Sequence, residues 1–316
     1  MKKKIILSKR FISEAVDILK ENFDLIIAED NYNSLVDALK KNKDAEALIS
    51  FLSDKVDKEL IDLGENLKII SNYAVGYNNI DVEYAKSKDI YITNTPDILT
   101  NATADIAWTL IMACSRRIIE ADKYVREGKF DGWGAKLLLG KELYGSSIGI
   151  VGMGRIGLAT ALRAKGFGLK VYYYSRNRKP EIEKKEGFSY LPFKDLVKTS
   201  DIISLHLPYA PDLHHLFNKE IFDRMKKDAI FINTSRGQLM DEAYLTEKLK
   251  KKELFSAGLD VYEFEPRVTE ELKQLDNVVL LPHIGSGTFE TRLGMAKKNI
   301  KDIELTLSGK KPVNLV

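Results

Sequence analysis

The 316-residue sequence predicts an α/β protein built from two doubly wound parallel sheets. Three observations carry that prediction. Short apolar runs alternate with amphipathic segments along most of the chain, the pattern of parallel strands joined by helical crossovers. The alternation breaks at Asn94-Thr-Pro96-Asp97 and resumes at Ser147, which separates a first sheet from a second. The second sheet opens with one apolar run, Ser147-Ile-Gly-Ile-Val-Gly152, that feeds directly into the glycine-rich turn Gly152-Met-Gly154-Arg155-Ile156-Gly157.

Strands of the first sheet are expected at 4–7, 24–28, 47–51, 68–71 and 90–93, with helices at 13–22, 34–41, 57–63 and 81–88. The opening Met1-Lys-Lys-Lys stretch has a leader-like charge, but the apolar run after it is too short, so it reads as the first strand. Ligands of such sheets gather at the carboxyl ends of strands. Two ends stand out: Phe51-Leu52-Ser53, and Asn72-Tyr-Ala-Val75-Gly76-Tyr-Asn78, whose backbone amides could hold a small anion or simply form a turn before Asp81, a helix cap. After Thr100-Asn-Ala-Thr103 a long helix is expected to run to about 119, then a loop or arm from 131 to 143 around Trp133.

In the second sheet, strands are expected at 147–151, 170–174, 188–190, 202–205, 229–233, 256–259 and 278–281. The glycine turn, the helix after it and the strand at 170–174 form one β-α-β unit. Gly152 permits the tight turn, Gly154 lets backbone approach a pyrophosphate, and Gly157 lets the helix, beginning with Arg155 and Ile156, pack on its strand. The phosphates belong at that helix N-terminus, where amides and the dipole favour an anion. A dinucleotide lacking a 2′-phosphate is usually met by an acid about 20 residues on. Here that place holds Ser175-Arg176-Asn177-Arg178-Lys179. A hydroxyl beside several cations, with no carboxylate, favours NADP(H), with NAD(H) possible. A last helix from about 288 to 307 starts after the second sheet has ended, and the simplest topology returns it to the first domain. The domains are therefore 1–100 with 288–316, for substrate, and 101–287, for dinucleotide, with a cleft expected where the chain crosses twice.

Composition narrows the function classes. The 49 basic and 46 acidic residues are interspersed and leave a net charge of +3, which argues against nucleic acid or an anionic membrane as partner. No window is long and apolar enough to span a bilayer. One cysteine, Cys114, in an apolar helical stretch, excludes a disulfide framework and a cysteine-based zinc site, and no metal is expected. The expected compartment is the cytoplasm.

Four histidines can be weighed singly. His214 and His215 lie in a loop and read as solvent-facing; His206, ending a strand, lines the cofactor crevice or simply packs. His283 stands between a buried strand and the turn Ile284-Gly285-Ser286, where a titrating group would serve catalysis. Other strand ends carry Arg236, in Asn233-Thr234-Ser-Arg236-Gly237, and Asp260 with Glu265, in Gly258-Leu-Asp260-Val-Tyr-Glu-Phe-Glu265-Pro266. Arginine suits a carboxylate, histidine suits proton transfer, and an acid suits orienting the histidine.

Together, the glycine turn, Asn233-x-x-Arg236-Gly237, Gly258-Leu-Asp260-Val with Glu265-Pro266, and Pro282-His283-Ile-Gly285-Ser286 resemble the D-isomer-specific 2-hydroxyacid dehydrogenase family, over essentially the whole chain. Within it the chain is most similar to glyoxylate/hydroxypyruvate reductases, through Val75-Gly76, Thr95-Pro96-Asp97-Ile-Leu-Thr100 and Ser175-Arg176. The resemblance implies two Rossmann-like or flavodoxin-like domains, the dinucleotide domain inserted into the substrate domain, and a homodimer formed largely through the dinucleotide domains. It implies NADPH-dependent reduction of a small 2-oxo acid, with His283 as acid/base, Glu265 its partner and Arg236 the substrate anchor. Leu52, Val75 and Gly76 would meet substrate with Arg236 and His283. Cofactor contacts would come from Gly152, Gly154, Arg155, Ile156, Gly157, Ser175, Arg176, Asn177, Arg178, His206, Thr234, Asp260 and Gly285, Asp260 approaching the nicotinamide carboxamide. Some hydroxypyruvate reductases carry a second tryptophan shortly after the one matching Trp133; here that neighbourhood reads Lys136-Leu137-Leu138, and the choice of 2-oxo acid stays open. Lactate-type or phosphoglycerate-type NAD-linked dehydrogenases, and dinucleotide-sensing corepressors, are the alternatives.

Overall fold

The computed structural model describes residues 2–9, 11–29 and 31–316, and these divide into two compact units, Met1–Leu99 with Ser286–Val316, and Thr100–Gly285. In the first unit β1 (Lys4–Leu7), α1 (Ser13–Asn22), β2 (Asp24–Ile27), α2 (Tyr32–Lys41), β3 (Ala47–Ser50), α3 (Lys58–Leu63), β4 (Ile69–Asn72), α4 (Val82–Ser87) and β5 (Tyr91–Thr93) alternate. Every ladder is parallel, in the order β2-β1-β3-β4-β5. Helices cover both faces, so the central strands β3 and β4 are buried at every position rather than alternating, and the polar residues at their carboxyl ends, Ser50, Ser71 and Asn72, are buried with hydrogen-bond partners. Asp57 and Asp81 cap α3 and α4 by accepting from Leu60 N (3.0 Å) and Tyr84 N (3.1 Å).

The second unit starts with α5 (Thr100–Arg116), α6 (Ile118–Arg126), β6 (Ser147–Val151), α7 (Arg155–Gly166), β7 (Lys170–Tyr174), α8 (Pro180–Glu186), β8 (Ser189–Tyr190) and α9 (Phe193–Thr199). It continues through β9 (Ile202–Leu205), α10 (Lys219–Arg224), β10 (Ile230–Asn233), α11 (Glu242–Lys250), β11 (Ser256–Leu259) and β12 (Val278–Leu280). The seven strands run in the order β12-β11-β10-β9-β6-β7-β8, all parallel. The expected α/β class with two parallel sheets is therefore the observed one. α5 lies on β10 and β11 closely enough that a Cβ on Gly258 would meet Leu110 Cβ at 2.9 Å and Cys114 Sγ at 3.2 Å. That packing buries Cys114 and pushes its thiol up to about 12, so the sole cysteine is an inert core residue. α12 (Phe289–Leu307) belongs to the first unit, where its buried Asn299 donates to Ser71 Oγ at 2.7 Å and to the Asn72 carbonyl at 3.2 Å.

One expected element divides differently. The long helix stops at Arg116, because Arg117 adopts a left-handed backbone at φ 53° and a new helix, α6, begins. The Arg117 guanidinium grips Glu120 through two bonds of 2.8 and 2.7 Å and reaches the Leu139 carbonyl at 3.3 Å, which holds the break. No glycine or proline marks it in the sequence. None of α6's residues is buried in the single chain.

Candidate active site

In the second unit three adjacent strands end in the residues that could do chemistry. At the end of β10, Asn233 is fully buried and folds the next turn onto itself: its Oδ1 accepts from Ser235 N (3.0 Å) and its Nδ2 donates to the Arg236 carbonyl (2.9 Å). Ser235 Oγ donates to the Leu205 carbonyl at 2.7 Å, tying the turn to β9. Arg236 is thereby presented on a rigid turn, its Nη1 donating to the Ser235 carbonyl at 2.6 Å. Burial lowers its pKa against the raising influence of the Glu265 charge. Gly237 follows because a Cβ there would overlap the backbone of Tyr262, so the Arg236 turn and the segment after β11 touch.

That segment carries Asp260 and Glu265. Asp260, 1% exposed, accepts from Ile284 N (2.7 Å) and Gly285 N (2.8 Å). Its pKa is raised, chiefly by burial, with the two amides and His283 pulling the other way. Asp260 thus holds the turn after β12, where His283 sits in the left-handed region at φ 55°, a conformation costing a non-glycine residue about 1–3 kcal/mol. His283 Nδ1 meets Glu265 Oε2 at 2.9 Å, and Glu265 Oε1 accepts from Tyr262 N at 3.0 Å. Burial alone would raise the Glu265 pKa, but the His283 bond and charge, the Tyr262 amide and the Arg236 charge together lower it. The structure therefore brings together His283, Glu265, Arg236 and Asp260.

The glycine turn lies at the end of β6. Gly152 has φ +104°, and a Cβ on it would come within 2.5 Å of the His206 carbonyl oxygen; a Cβ on Gly157 would overlap the Gly152 carbonyl. Around Gly154, by contrast, space is open, and α7 begins there without a side-chain cap. An uncapped helix N-terminus over a residue with nothing beside it is a cradle for a phosphate. Thr234 adds a buried hydroxyl with no hydrogen-bond partner among the described residues, a polar atom that a ligand could satisfy. These features fit a dinucleotide. His206 sets its Nε2 2.9 Å from Ser204 Oγ, and desolvation lowers its pKa to about 3, so it is neutral at physiological pH.

The loop after β7 divides its cations between two tasks. Arg178 is taken by Glu183, with Nε and Nη2 at 2.8 and 2.7 Å from its two oxygens, and lies over the Tyr190 ring at 5.7 Å. Arg176 and Asn177 are exposed, and Arg176 has no partner among the described residues. Ser175 Oγ donates to the Asn177 carbonyl at 2.5 Å, shaping the loop. Arg178 is thus engaged by Glu183 within the protein, while Arg176 is exposed beside it.

In the first unit, the loop after β4 is turned by asparagines that sequence reasoning left without a role. Asn94 Nδ2 donates to the Val75 carbonyl at 2.7 Å, and Asn72 Nδ2 to the Gly76 carbonyl at 2.8 Å. In a trans peptide the N–H points opposite to the C=O, so the next amides, of Gly76 and Tyr77, are directed away from those asparagines. No local pattern announces the Asn94 bond, because Asn94 and Val75 lie 19 residues apart and meet only through the pairing of neighbouring strands. Leu52 follows β3 in a turn and is partly buried.

His214 is exposed, as read from sequence, and His215 keeps 33% of its side chain exposed but also sets its Nε2 2.7 Å from Glu263 Oε1, a partner the sequence did not suggest. Neither signal nor spacing announces that pair, which forms because the loop after β9 returns beside β11. Among the described residues no helix is long and apolar enough to cross a membrane.

Comparison with known proteins gives a consistent picture. Residues 108–285 match the model of the D-isomer specific 2-hydroxyacid dehydrogenase NAD binding domain. The chain is 45% identical to the glyoxylate reductase of Thermococcus onnurineus over 321 aligned positions, covering 100% of this chain and 96% of that one. Among solved structures it is similar to a Thermus thermophilus protein (TM-score 0.93, 37% identity, 99% of each chain). It is also similar to the NADPH-dependent glyoxylate/hydroxypyruvate reductase of Sinorhizobium meliloti, solved with NADP and malonate (TM-score 0.91, 30% identity, 100% of this chain and 97% of that one).

Proposed function

Because the chain belongs to the D-isomer-specific 2-hydroxyacid dehydrogenase family and is an NAD(P)-dependent oxidoreductase, we propose that it reduces a small 2-oxo acid, glyoxylate or hydroxypyruvate, with NADPH as the preferred reductant. The observation that carries the proposal is the His283–Glu265 pair, 2.9 Å apart, beside Arg236 on the neighbouring strand end. When bound, the dinucleotide supplies the hydride. The residues that would hold it are Gly152, Gly154, Arg155, Ile156 and Gly157 at the pyrophosphate, Ser175, Arg176, Asn177 and Arg178 at the adenosine ribose, and His206, Thr234, Asp260 and Gly285 toward the nicotinamide.

With Nδ1 engaged by Glu265, Nε2 is the His283 nitrogen that gives its proton to the developing alkoxide oxygen. The neighbouring Glu265 carboxylate stabilises the imidazolium before transfer and fixes the ring. Arg236 offers a planar donor set to the substrate carboxylate and carbonyl oxygen, and its charge stabilises the alkoxide as it forms. Val75 and Gly76 are proposed to give the carboxylate backbone amides, and Leu52 to contact the same small substrate. The preference for NADPH rests on the loop after β7, where Ser175-Arg176-Asn177-Arg178-Lys179 carries no carboxylate and Arg176 is exposed with no partner among the described residues. A homodimer is proposed from the exposed apolar side chains of one stretch of the second unit, Ile118, Ile119, Val125, Phe130, Trp133 and Leu139. The proposed location is the cytoplasm, in keeping with a single thiol that forms no disulfide.

The test is oxidation of NADPH and NADH followed at 340 nm with glyoxylate, hydroxypyruvate and pyruvate. Turnover of glyoxylate or hydroxypyruvate, faster with NADPH, supports the proposal. Binding of both cofactors without turnover of any 2-oxo acid refutes it.

A further inference from the structure

Glu242, the first residue of α11, is 2% exposed and makes no salt bridge among the described residues. A buried carboxylate without a cation is costly and persists only where its oxygens are well supplied with donors. Here Oε2 accepts from Glu263 N at 2.9 Å, and Oε1 accepts from Thr269 N at 3.2 Å and Thr269 Oγ1 at 2.5 Å. Those partners flank the segment that carries Glu265. A single carboxylate therefore pins both limbs of that segment, 263 and 269, to the start of one helix. Two lesser ties reinforce the first limb: Gln238 Nε2 donates to the Glu263 carbonyl at 3.1 Å, and His215 meets the Glu263 side chain. Between the pinned limbs the chain closes on itself through Arg267 N to the Phe264 carbonyl, 2.9 Å. Glu265 is thus held against His283 from behind.

We propose that Glu242 is a positioning residue for the acid/base pair, setting the height of Glu265 relative to His283 by clamping residues 263 and 269. The proposal rests on the reading of His283 and Glu265 as the proton-transfer pair. A carboxylate is required because both oxygens face backbone N–H groups; an amide in its place turns an NH2 toward one of them. Release of either limb lets Glu265 move, and displacements near 1 Å of a catalytic group cost about 100-fold in rate. Glu265 is faced by His283, Arg236 and Asp260 and by the Tyr262 amide, and a displaced carboxylate loses the first and last of these.

The experiment compares wild type with Glu242→Gln, Glu242→Asp and Thr269→Val for turnover of glyoxylate with NADPH across pH, for NADPH binding by fluorescence, and for Tm. Glu242→Gln is expected to lower kcat about 10- to 100-fold, with the KM for glyoxylate and the NADPH Kd changed less than about threefold. The acid limb of its kcat profile, where Glu265 takes up a proton, is expected to move to higher pH. Glu242→Asp should recover part of the rate, and Thr269→Val, which removes one of the three donors, should show a smaller loss in the same sense with a Tm lowered less than that of Glu242→Gln. A folded Glu242→Gln enzyme with wild-type kcat and an unmoved acid limb overturns the proposal. If that variant does not fold, Thr269→Val with wild-type rate and profile overturns it instead. His283→Ala run alongside separates the two claims: if it keeps wild-type turnover, the pair itself has been misassigned, whatever Glu242 does.

Discussion

His283 occupies a strained left-handed backbone position that Asp260 stabilises through the next two amides, and strain of this kind persists where surrounding structure over-determines it. Its removal therefore tests function more than fold. His283→Ala is expected to lower kcat about 10²- to 10⁴-fold, the usual share of a general acid, while NADPH affinity changes little, since the glycine turn proposed to hold the phosphates lies on another strand. Steady-state kinetics with a parallel fluorescence titration checks both halves. The cofactor loop makes a second prediction at this scale. Arg178 is committed to Glu183 and Arg176 is not, so Arg176→Asp should reverse the proposed preference of NADPH over NADH, whereas Arg178→Ala should act mainly by loosening the loop. Equal loss from both substitutions, in the ratio of kcat/KM for the two cofactors, would show that the two arginines share the 2′-phosphate. His283, Glu265 and Arg236 were legible because each stands in a short motif at a strand end. The Arg178–Glu183 pair was not, because it joins residues of a loop and the following helix through side-chain reach rather than through any pattern.

Among the elements, the β6-turn-α7 unit separates two uses of glycine. A Cβ on Gly157 would overlap the Gly152 carbonyl, so Gly157→Ala must push α7 off its strand. The expected result is a loss of stability of about 1–3 kcal/mol, seen as a lower Tm, with loss of dinucleotide binding as a consequence. Gly154 has φ −80° and open space around it, so Gly154→Ala should leave the Tm unchanged or slightly higher while weakening dinucleotide binding. Calorimetry and NADPH titration on the two variants distinguish a packing glycine from a ligand-facing one. Strands were readable to within a residue or so because parallel strands buried on both faces are unbroken apolar runs, and β1, β6, β7, β9 and β11 stand where expected. The break between α5 and α6 was not readable. It depends on Arg117 reaching Glu120 and the Leu139 carbonyl, and nothing in local composition distinguishes Arg117 from the helix formers beside it.

The whole molecule raises two questions of association and stability. Helix α6 buries none of its residues, and Ile118, Val125, Phe130 and Trp133 are 50%, 59%, 58% and 88% exposed, an apolar surface that a monomer would rarely leave open. Light scattering is expected to give twice the chain mass of 35.8 kDa, about 72 kDa, and Val125→Asp with Trp133→Ala to return it to the single-chain value. A wild-type protein of single-chain mass at micromolar concentration would refute the dimer. Stability against pH turns on His206. Its folded pKa of about 3 lies far below the ordinary value of 6.5, because desolvation favours the neutral ring. Between those values the unfolded chain binds a proton that the folded chain does not, so stability rises with pH and falls as pH drops below 6.5. The carboxylates lowered in the fold, Glu265 among them, act in the same sense but only once pH approaches their ordinary range near 4.5. Asp260 opposes them: its raised pKa means the folded state takes up a proton first, which favours the fold as pH falls. Across the interval from pH 6.5 to about 5 the His206 contribution is lost as pH falls, and substitution of that one histidine singles it out from the other groups. Calorimetric Tm values should decline across it in wild type and decline less in His206→Asn, and an unchanged slope in that variant would mean His206 is not desolvated in the folded chain.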